Sequence, residues 1–152
     1  TVNLRIFNAY GPGQQMPPTH PPVIPYFLKQ AQMNSTLVVH GDGTQTRDYV
    51  YIDDVVNGLM AASIANGINH ETINLGSGRE TSVRELTRLV AEITGKSPEV
   101  VYNTRNDGGP SRMCADLSLA REKLNFYPNI PLEIGLQNTF ESDLKLRIKN
   151  SG

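Results

Sequence analysis

At 152 residues, 38% of them apolar and 19% charged, the chain is long enough for one domain with an adequate core and gives no reason to expect two complete ones. A formal net charge of −1 leaves no global attraction for nucleic acid or an anionic membrane, so any anion site has to be local. The single cysteine, Cys114, excludes a disulfide framework and a multi-cysteine zinc site and fits a reducing, cytoplasmic setting, and no apolar run approaches the length that spans a bilayer.

Residues 1–7 open directly as a strand, with Val2, Leu4 and Ile6 alternating with Asn3 and Arg5. A chain that begins inside a core strand is expected to be part of something longer. Residues 8–15 and the prolines at 17, 18, 21 and 22 exclude a regular helix or central strand, which predicts an irregular loop. Helical spacing follows at Ile24, Phe27, Leu28 and Ala31, with Pro25 in the first turn. A strand over 36–40 runs into the stretch Gly41 to Val55, which reads as a glycine turn, a lone Arg47, a short alternating strand, and Asp53 or Asp54 capping a helix. That helix carries Val55, Val56, Leu59 and Met60 on one stripe and stops at Gly67.

A strand over 72–75 ends in Gly76-Ser77-Gly78. Ser82 and Glu85 have capping-box spacing ahead of a helix whose apolar face is Val83, Leu86, Leu89, Val90 and Ile93, ended by Gly95. A strand over 99–102, a polar loop with Arg105 in it and Arg112 just beyond, and a short helix over 119–124 capped by Asp116 come next. The final helix starts near Pro131 and places Leu132, Leu136, Phe140, Leu144 and Ile148 at steps of four. Strands alternating with helices argue an α/β fold.

Few groups on this frame suggest chemistry. His20, His40 and His70 are scattered, so no metal site is expected. Cys114 reads as a structural thiol, no serine sits in a Gly-x-Ser-x-Gly elbow, and neither glycine turn completes a dinucleotide fingerprint. What remains are Asn8, Arg47, Arg105 and Arg112 on loops. Guanidinium forks converging from separate loops would suit a pyrophosphate, and the alternative for each is a solvated or ion-paired arginine.

Several stretches together resemble one family. Leu4-Arg5-Ile6-Phe7-Asn8-Ala9-Tyr10-Gly11-Pro12 is similar to the Leu-Arg-x-x-Asn-x-Tyr-Gly-Pro segment of extended short-chain dehydrogenase/reductases acting on nucleotide sugars, the epimerase/dehydratase group. Gly41 to Asp54 resembles their Gly-Asp-Gly-x-Gln-x-Arg-Asp-Tyr/Phe-x-x-Val-x-Asp block, and Ile73 to Gly78, Ala115-Asp116 and Leu132 to Leu136 resemble later segments in the right order. The resemblance implies the C-terminal strands and helices of a Rossmann-type doubly wound sheet plus a small α/β substrate-binding part. Residues 1–10 and about 53–76 would belong to the sheet layer, and about 11–52 and 77–150 to the substrate part, with the N-terminal NAD-binding portion absent. It also implies roles. Phe7 would lie beside the nicotinamide end of NAD, and Asn8 would donate to the diphosphate or sugar. Val23 and Ile24 would hold the base through their backbone, His40 would lie against that base, and Arg47 and Arg105 would grip the diphosphate.

The match loosens at Arg105-Asn106-Asp107-Gly108-Gly109, where the family reads Arg-x-Gly-Asp/Glu and Asp107 is the substitute available. None of the six tyrosines has a lysine four residues on, so the family's acid/base pair is not in these residues and no catalytic residue is assigned. The expected parent is an NAD-dependent nucleotide-sugar epimerase or dehydratase working through a 4-keto sugar, cytoplasmic and homodimeric, and the chain alone is expected to be inactive. The other reading is a non-catalytic nucleotide-sugar-binding or regulatory module of the same superfamily.

Overall fold

The first ten residues form two strands rather than one. In the computed structural model, which describes residues 1–143 and 146, β1 (Asn3–Ile6) pairs in parallel with β6 (Thr72–Leu75), while β2 (Asn8–Tyr10) pairs in parallel with β5 (Tyr49–Tyr51). The partner changes at Phe7, whose N–H donates to Leu75 O at 2.9 Å. Residues 8–10 are therefore sheet and not the loop that the glycines and prolines after them suggest. Their partner lies some forty residues on, out of reach of any local pattern.

Two further pairs complete the described strands: β3 (Leu37–His40) with β8 (Val100–Asn103) in parallel, and β4 (Thr46–Arg47) with β7 (Thr81–Ser82) antiparallel. The short strand expected after Arg47 is β5, set off from β4 by Asp48, and it does not alternate: Tyr49, Val50 and Tyr51 are all buried. Continuous burial is what a parallel strand covered on both faces requires.

The helices are α1 (Val23–Gln32), α2 (Ile52–Ile64), α3 (Val83–Thr94), α4 (Ser118–Leu124) and α5 (Leu132–Ser142). α3 is built as its sequence says: Ser82 Oγ accepts from Glu85 N at 3.0 Å, and the helix ends on Gly95 at φ +65°. The box is half closed, because the Glu85 carboxylate goes to Arg79 at 3.0 Å.

α2 departs from expectation. Tyr51 occupies its N-cap and no side chain caps it; Asp53 and Asp54 lie in the first turn, where they favour the positive end of the helix. Asp54 is buried and accepts from Asn129 N and Ile130 N, both at 2.9 Å, tying the approach to α5 onto α2. The helix ends at Ile64, ahead of Gly67, and of its stripe only Val55 is buried, with Val56, Leu59 and Met60 exposed. Asp116 accepts from the N–H and hydroxyl of Ser118 in a turn just ahead of α4, whose N-cap is Leu117. In α5, Leu132 and Leu136 are buried, while Leu144 and Ile148 of the expected repeat lie outside the described residues.

Packing divides the chain into two hydrophobic clusters. One gathers α1, β3, β5, α3 and α5 around Phe27, Leu28, Leu37, Val39, Leu86, Val90 and Leu136. The other gathers Ile73 and Leu75 of β6 with Ala120, Leu124 and Phe126, and Leu4 and Phe7 pack against it. β2 follows directly on Phe7 of the second cluster and places Tyr10 in the first, and Asn8 of β2 and Arg47 of β4 line the concave surface described next. Among the described residues, no helix is long and apolar enough to cross a membrane.

Candidate functional site

The site is a cavity of about 690 Å³ walled by the ends of β2, β3 and β4, the start of α1 and the proline-rich loop. Arg47 projects onto it from β4. Its Nη1 donates to Thr46 O and Pro110 O, each at 2.7 Å, and its Nη2 to Gly108 O at 2.8 Å. These acceptors are neutral carbonyls, and among the described residues no carboxylate forms an ion pair with Arg47. The guanidinium is thus held in place with its charge uncancelled, which is the arrangement an anion meets best.

The loop reaches Arg47 because of its glycines. A Cβ on Gly108 would lie 2.6 Å from Gln45 Nε2, which itself donates to His40 O at 2.6 Å. The preceding turn needs Gly41 at φ +76° and Gly43 at φ +80°, and Asp42 Oδ1 closes it by accepting from Thr44 N at 2.9 Å. The turn leads from β3 to β4, and β4 then pairs with β7, so it does not form a simple hairpin.

Beneath Arg47 lies Asp48, with no exposed surface. Its Oδ1 accepts from Ser77 N and Ser77 Oγ at 2.7 Å, and its Oδ2 from Gly78 N at 2.9 Å and Ala115 N at 3.0 Å. Asp48 O accepts from Asn8 Nδ2 at 3.1 Å, which orients the Asn8 amide at the cavity wall. Cys114 Sγ is 4.0 Å from Asp48 Oδ2, and burial first, then the Asp48 charge, pushes the thiol up from its ordinary value.

At the other end of the cavity, Val23 starts α1 and His40 ends β3, its Nδ1 3.2 Å from Asn106 Nδ2. Asn8, Val23, His40 and Arg47 therefore all line this one cavity. Ile24 is buried in the first cluster and faces a smaller cavity, while Phe7 packs on the second cluster, off the large cavity. Arg105 is exposed and does not line the cavity; its backbone N–H donates to Asn103 Oδ1 at 3.3 Å. Asp107 accepts from Gly109 N at 2.9 Å within the same loop. Arg112 is paired with Glu80 at 2.6 Å, a contact that raises the arginine pKa and lowers that of Glu80. Asn8 and Arg47 sit on strands rather than on the loops expected from sequence. His20, Gln45 and Tyr49 line the same cavity and were not picked out by sequence reasoning, although Gln45 and Tyr49 lie inside the motif around Arg47.

NAD, which the resemblance implies, would need backbone N–H groups free to meet its pyrophosphate. Gly76-Ser77-Gly78 follows β6 as such a turn would, but the Ser77 and Gly78 N–H groups already donate to Asp48. A phosphate there would face a buried carboxylate. The residues described do not by themselves form the cofactor's phosphate site.

Residues 1–76 match the model of the NAD dependent epimerase/dehydratase family. UDP-glucuronic acid decarboxylase 1 of Xenopus tropicalis is 34% identical over 149 residues, covering 96% of this chain and 34% of that protein. The crystal structure of UDP-glucose 4-epimerase from Thermotoga maritima with UDP-glucose superposes with a TM-score of 0.85 at 37% identity, covering 93% of this chain and 45% of that one. UDP-glucuronic acid 4-epimerase from Bacillus cereus, in complex with UDP-glucuronic acid and NAD, gives 0.86 at 33% identity, with 96% and 46% covered. The chain thus spans between a third and a half of the length of these proteins. Its α/β arrangement is that of the C-terminal part of a Rossmann-type short-chain dehydrogenase/reductase.

Proposed function

Because the chain belongs to the NAD dependent epimerase/dehydratase family, we propose that it holds the nucleotide sugar in an epimerase, dehydratase or decarboxylase working through a 4-keto sugar. The observation that carries this reading is Arg47, fixed by three carbonyl contacts on the wall of a large cavity with no carboxylate paired to it among the described residues. A diphosphate laid against Arg47 and the Asn8 amide points its base toward Val23, the backbone at Ile24, and His40. Arg105 lies off the wall and would join this grip only through movement of its loop. Since the named relatives are proteins of UDP-sugars, UDP is the nucleotide to test first.

When bound, NAD would supply hydride exchange with the sugar. In this reading it is held mainly by residues other than these 152, with Phe7 at most at the edge of its nicotinamide. These residues bind and orient the sugar nucleotide. They contain no Tyr-x-x-x-Lys pair, so the 152-residue chain by itself turns over no nucleotide sugar, and measurable turnover by the purified chain would overturn that. The complete protein is taken to be a cytoplasmic homodimer, which light scattering at micromolar concentration would check for the dimer.

Calorimetry on the complete protein tests the assignment of Arg47. Arg47→Ala should weaken UDP-glucose binding by about 30-fold, the size of a lost charge-assisted contact, and leave NAD affinity within about twofold. Equal losses for both ligands would show that Arg47 does not hold the diphosphate.

A further inference from the structure

Among the described residues, four other than glycine take up left-handed backbone: His20, Asn34, His70 and Asn125. Three of them have a local reason. Asn34 and Asn125 lie at the ends of α1 and α4, where asparagine tolerates this region, and His70 donates its N–H to Thr1 O at 2.6 Å. His20, at φ +54°, has none: it makes no hydrogen bond or ion pair among the described residues. It also precedes Pro21, and a proline pushes the residue before it toward extended backbone. A conformation disfavoured twice over, and unsupported by bonds of its own, is a mark of a residue held for use.

The strap that holds it is stiff. Pro17, Pro18, Pro21 and Pro22 flank His20, and each proline fixes its own φ, so the strap has few other shapes to sample before a ligand arrives. His20 is exposed, and it lines the 690 Å³ cavity together with Pro18 and Pro21. It comes three residues before Val23, a reach of at most about 10 Å, which sets it at the end of the cavity where α1 starts. α1 and β3 bring Val23, Tyr26, Val38 and His40 to the same cavity, an apolar and ring-bearing lining, whereas Asn8 and Arg47 come from β2 and β4.

The chemistry of that lining selects one part of the ligand. A diphosphate is met by the Arg47 guanidinium and the Asn8 amide, and a hexose offers hydroxyls rather than a flat face. A nucleoside base offers a flat π-face, which stacks on an aromatic ring. We infer that His20 is a nucleoside contact, its imidazole laid against the base of the bound nucleotide sugar and aimed there by the left-handed backbone at residue 20. This rests on the nucleotide-sugar reading and adds to it a residue that senses the base from the proline-rich strap. The strain and the stiff flanks then have a common use: the ring is in place beforehand, as Arg47 is.

The test uses the complete protein, with uridine, UDP and UDP-glucose titrated separately and melting temperatures recorded. His20→Gly removes the ring and adopts the left-handed backbone freely, so it should weaken all three ligands by the same factor, about fivefold, without lowering the melting temperature. His20→Asn, which also tolerates that backbone but has no ring, should give the same loss.

Unchanged binding of all three ligands in both variants, with Arg47→Ala weakening UDP and UDP-glucose, would make His20 a turn residue only and overturn the contact while sparing the diphosphate assignment. A loss confined to UDP-glucose would put the ring on the hexose, and a loss in UDP and UDP-glucose that spares uridine would put it on the diphosphate; either overturns the contact. A melting temperature lowered in His20→Gly would show that the ring is held within the protein instead, and overturns it too. If Arg47→Ala moves neither UDP nor UDP-glucose, the nucleotide-sugar reading fails first and the contact with it.

Discussion

Arg47 and Arg105 carry the same group within a few residues of the same loop, and the chain treats them differently. Arg47 sits on a strand and spends three donor contacts on carbonyls, so its fork has a fixed direction before any ligand arrives. Arg105 rides on an exposed loop where, among the described residues, its backbone N–H to Asn103 Oδ1 is the one hydrogen bond it makes. A free arginine must give up about 2 kcal/mol of rotamer freedom when it clamps an anion, and Arg47 has already met that cost in folding. The difference teaches that an anion site depends on what stands behind a cation as well as on the cation itself.

Behind Arg47 stands Asp48, and removing it should produce the largest effect. Asp48→Ala leaves the N–H groups of Ser77, Gly78 and Ala115 without their acceptor and undermines the strand break that aims Arg47 and Asn8. The expected loss is about 3 kcal/mol of folding stability, read as a lowered urea midpoint. A loss below about 1 kcal/mol would mean that the construction of Arg47 does not depend on this carboxylate.

Next in size is the contrast between the two arginines. Arg47→Ala should weaken UDP-glucose binding by about 30-fold, and Arg105→Ala by less than about threefold, since an exposed unpaired side chain contributes little before its loop orders. Equal effects would erase the distinction and show that loop 103–111 closes on the ligand.

Neighbouring residues explain why part of this was legible beforehand. Ser82 and Glu85 announce α3 because a cap and an apolar stripe are local properties, complete within one turn or two. The family motif located Arg47 and Asn8 for a similar reason, being contiguous in the chain. Asp54 was misread as a cap, because its partners, Asn129 and Ile130, come from a distant segment. The local glycine and proline pattern puts residues 8–10 in a loop, while the resemblance puts residues 1–10 in the sheet; the pattern misses the strand because its partner, Tyr49 to Tyr51, is distant. Periodicity marked α2 as amphipathic, yet Val56, Leu59 and Met60 are exposed. An apolar stripe states that a face favours cover and says nothing about which residues provide it. Arg105 shows the limit of spacing, which places a second arginine near the first while the fold leaves it exposed and out of the cavity lining.

A smaller change tests the loop that Arg47 leans on. Gly108→Ala would set a Cβ 2.6 Å from Gln45 Nε2 and 3.1 Å from His40 O, so the loop must shift away from Arg47. Crowding of this kind typically costs about 1–3 kcal/mol; here part falls on stability and part on UDP-glucose affinity, expected to drop by about fivefold. Loss of stability with affinity intact would show that Arg47 keeps its aim without the carbonyl of residue 108.

The least effect is expected at the third guanidinium, Arg112, which a carboxylate has already claimed. Glu80 Oε1 accepts from Arg112 Nε at 2.6 Å and from Thr46 Oγ1 at 2.8 Å, next to the β4–β7 pairing that carries Arg47. The Arg112 hydrogen bond first, then that of Thr46, holds the Glu80 carboxyl below its ordinary value of 4.5. A carboxyl whose pKa is lower in the folded state stabilises the fold above its unfolded value, and that contribution disappears as pH falls through the folded value. The stability difference between wild type and Glu80→Gln should therefore be present at pH 6 and shrink below about pH 4.5, a small effect on an exposed arginine and one that salt weakens further. The acid slope persists in the variant, since Asp42 and Asp116 are also held below their ordinary values, by Thr44 and Ser118. Parallel pH profiles for the two proteins would show that Glu80 does not hold Arg112 in solution, and Arg112 would then join Arg105 as an unclaimed cation rather than stand apart from both.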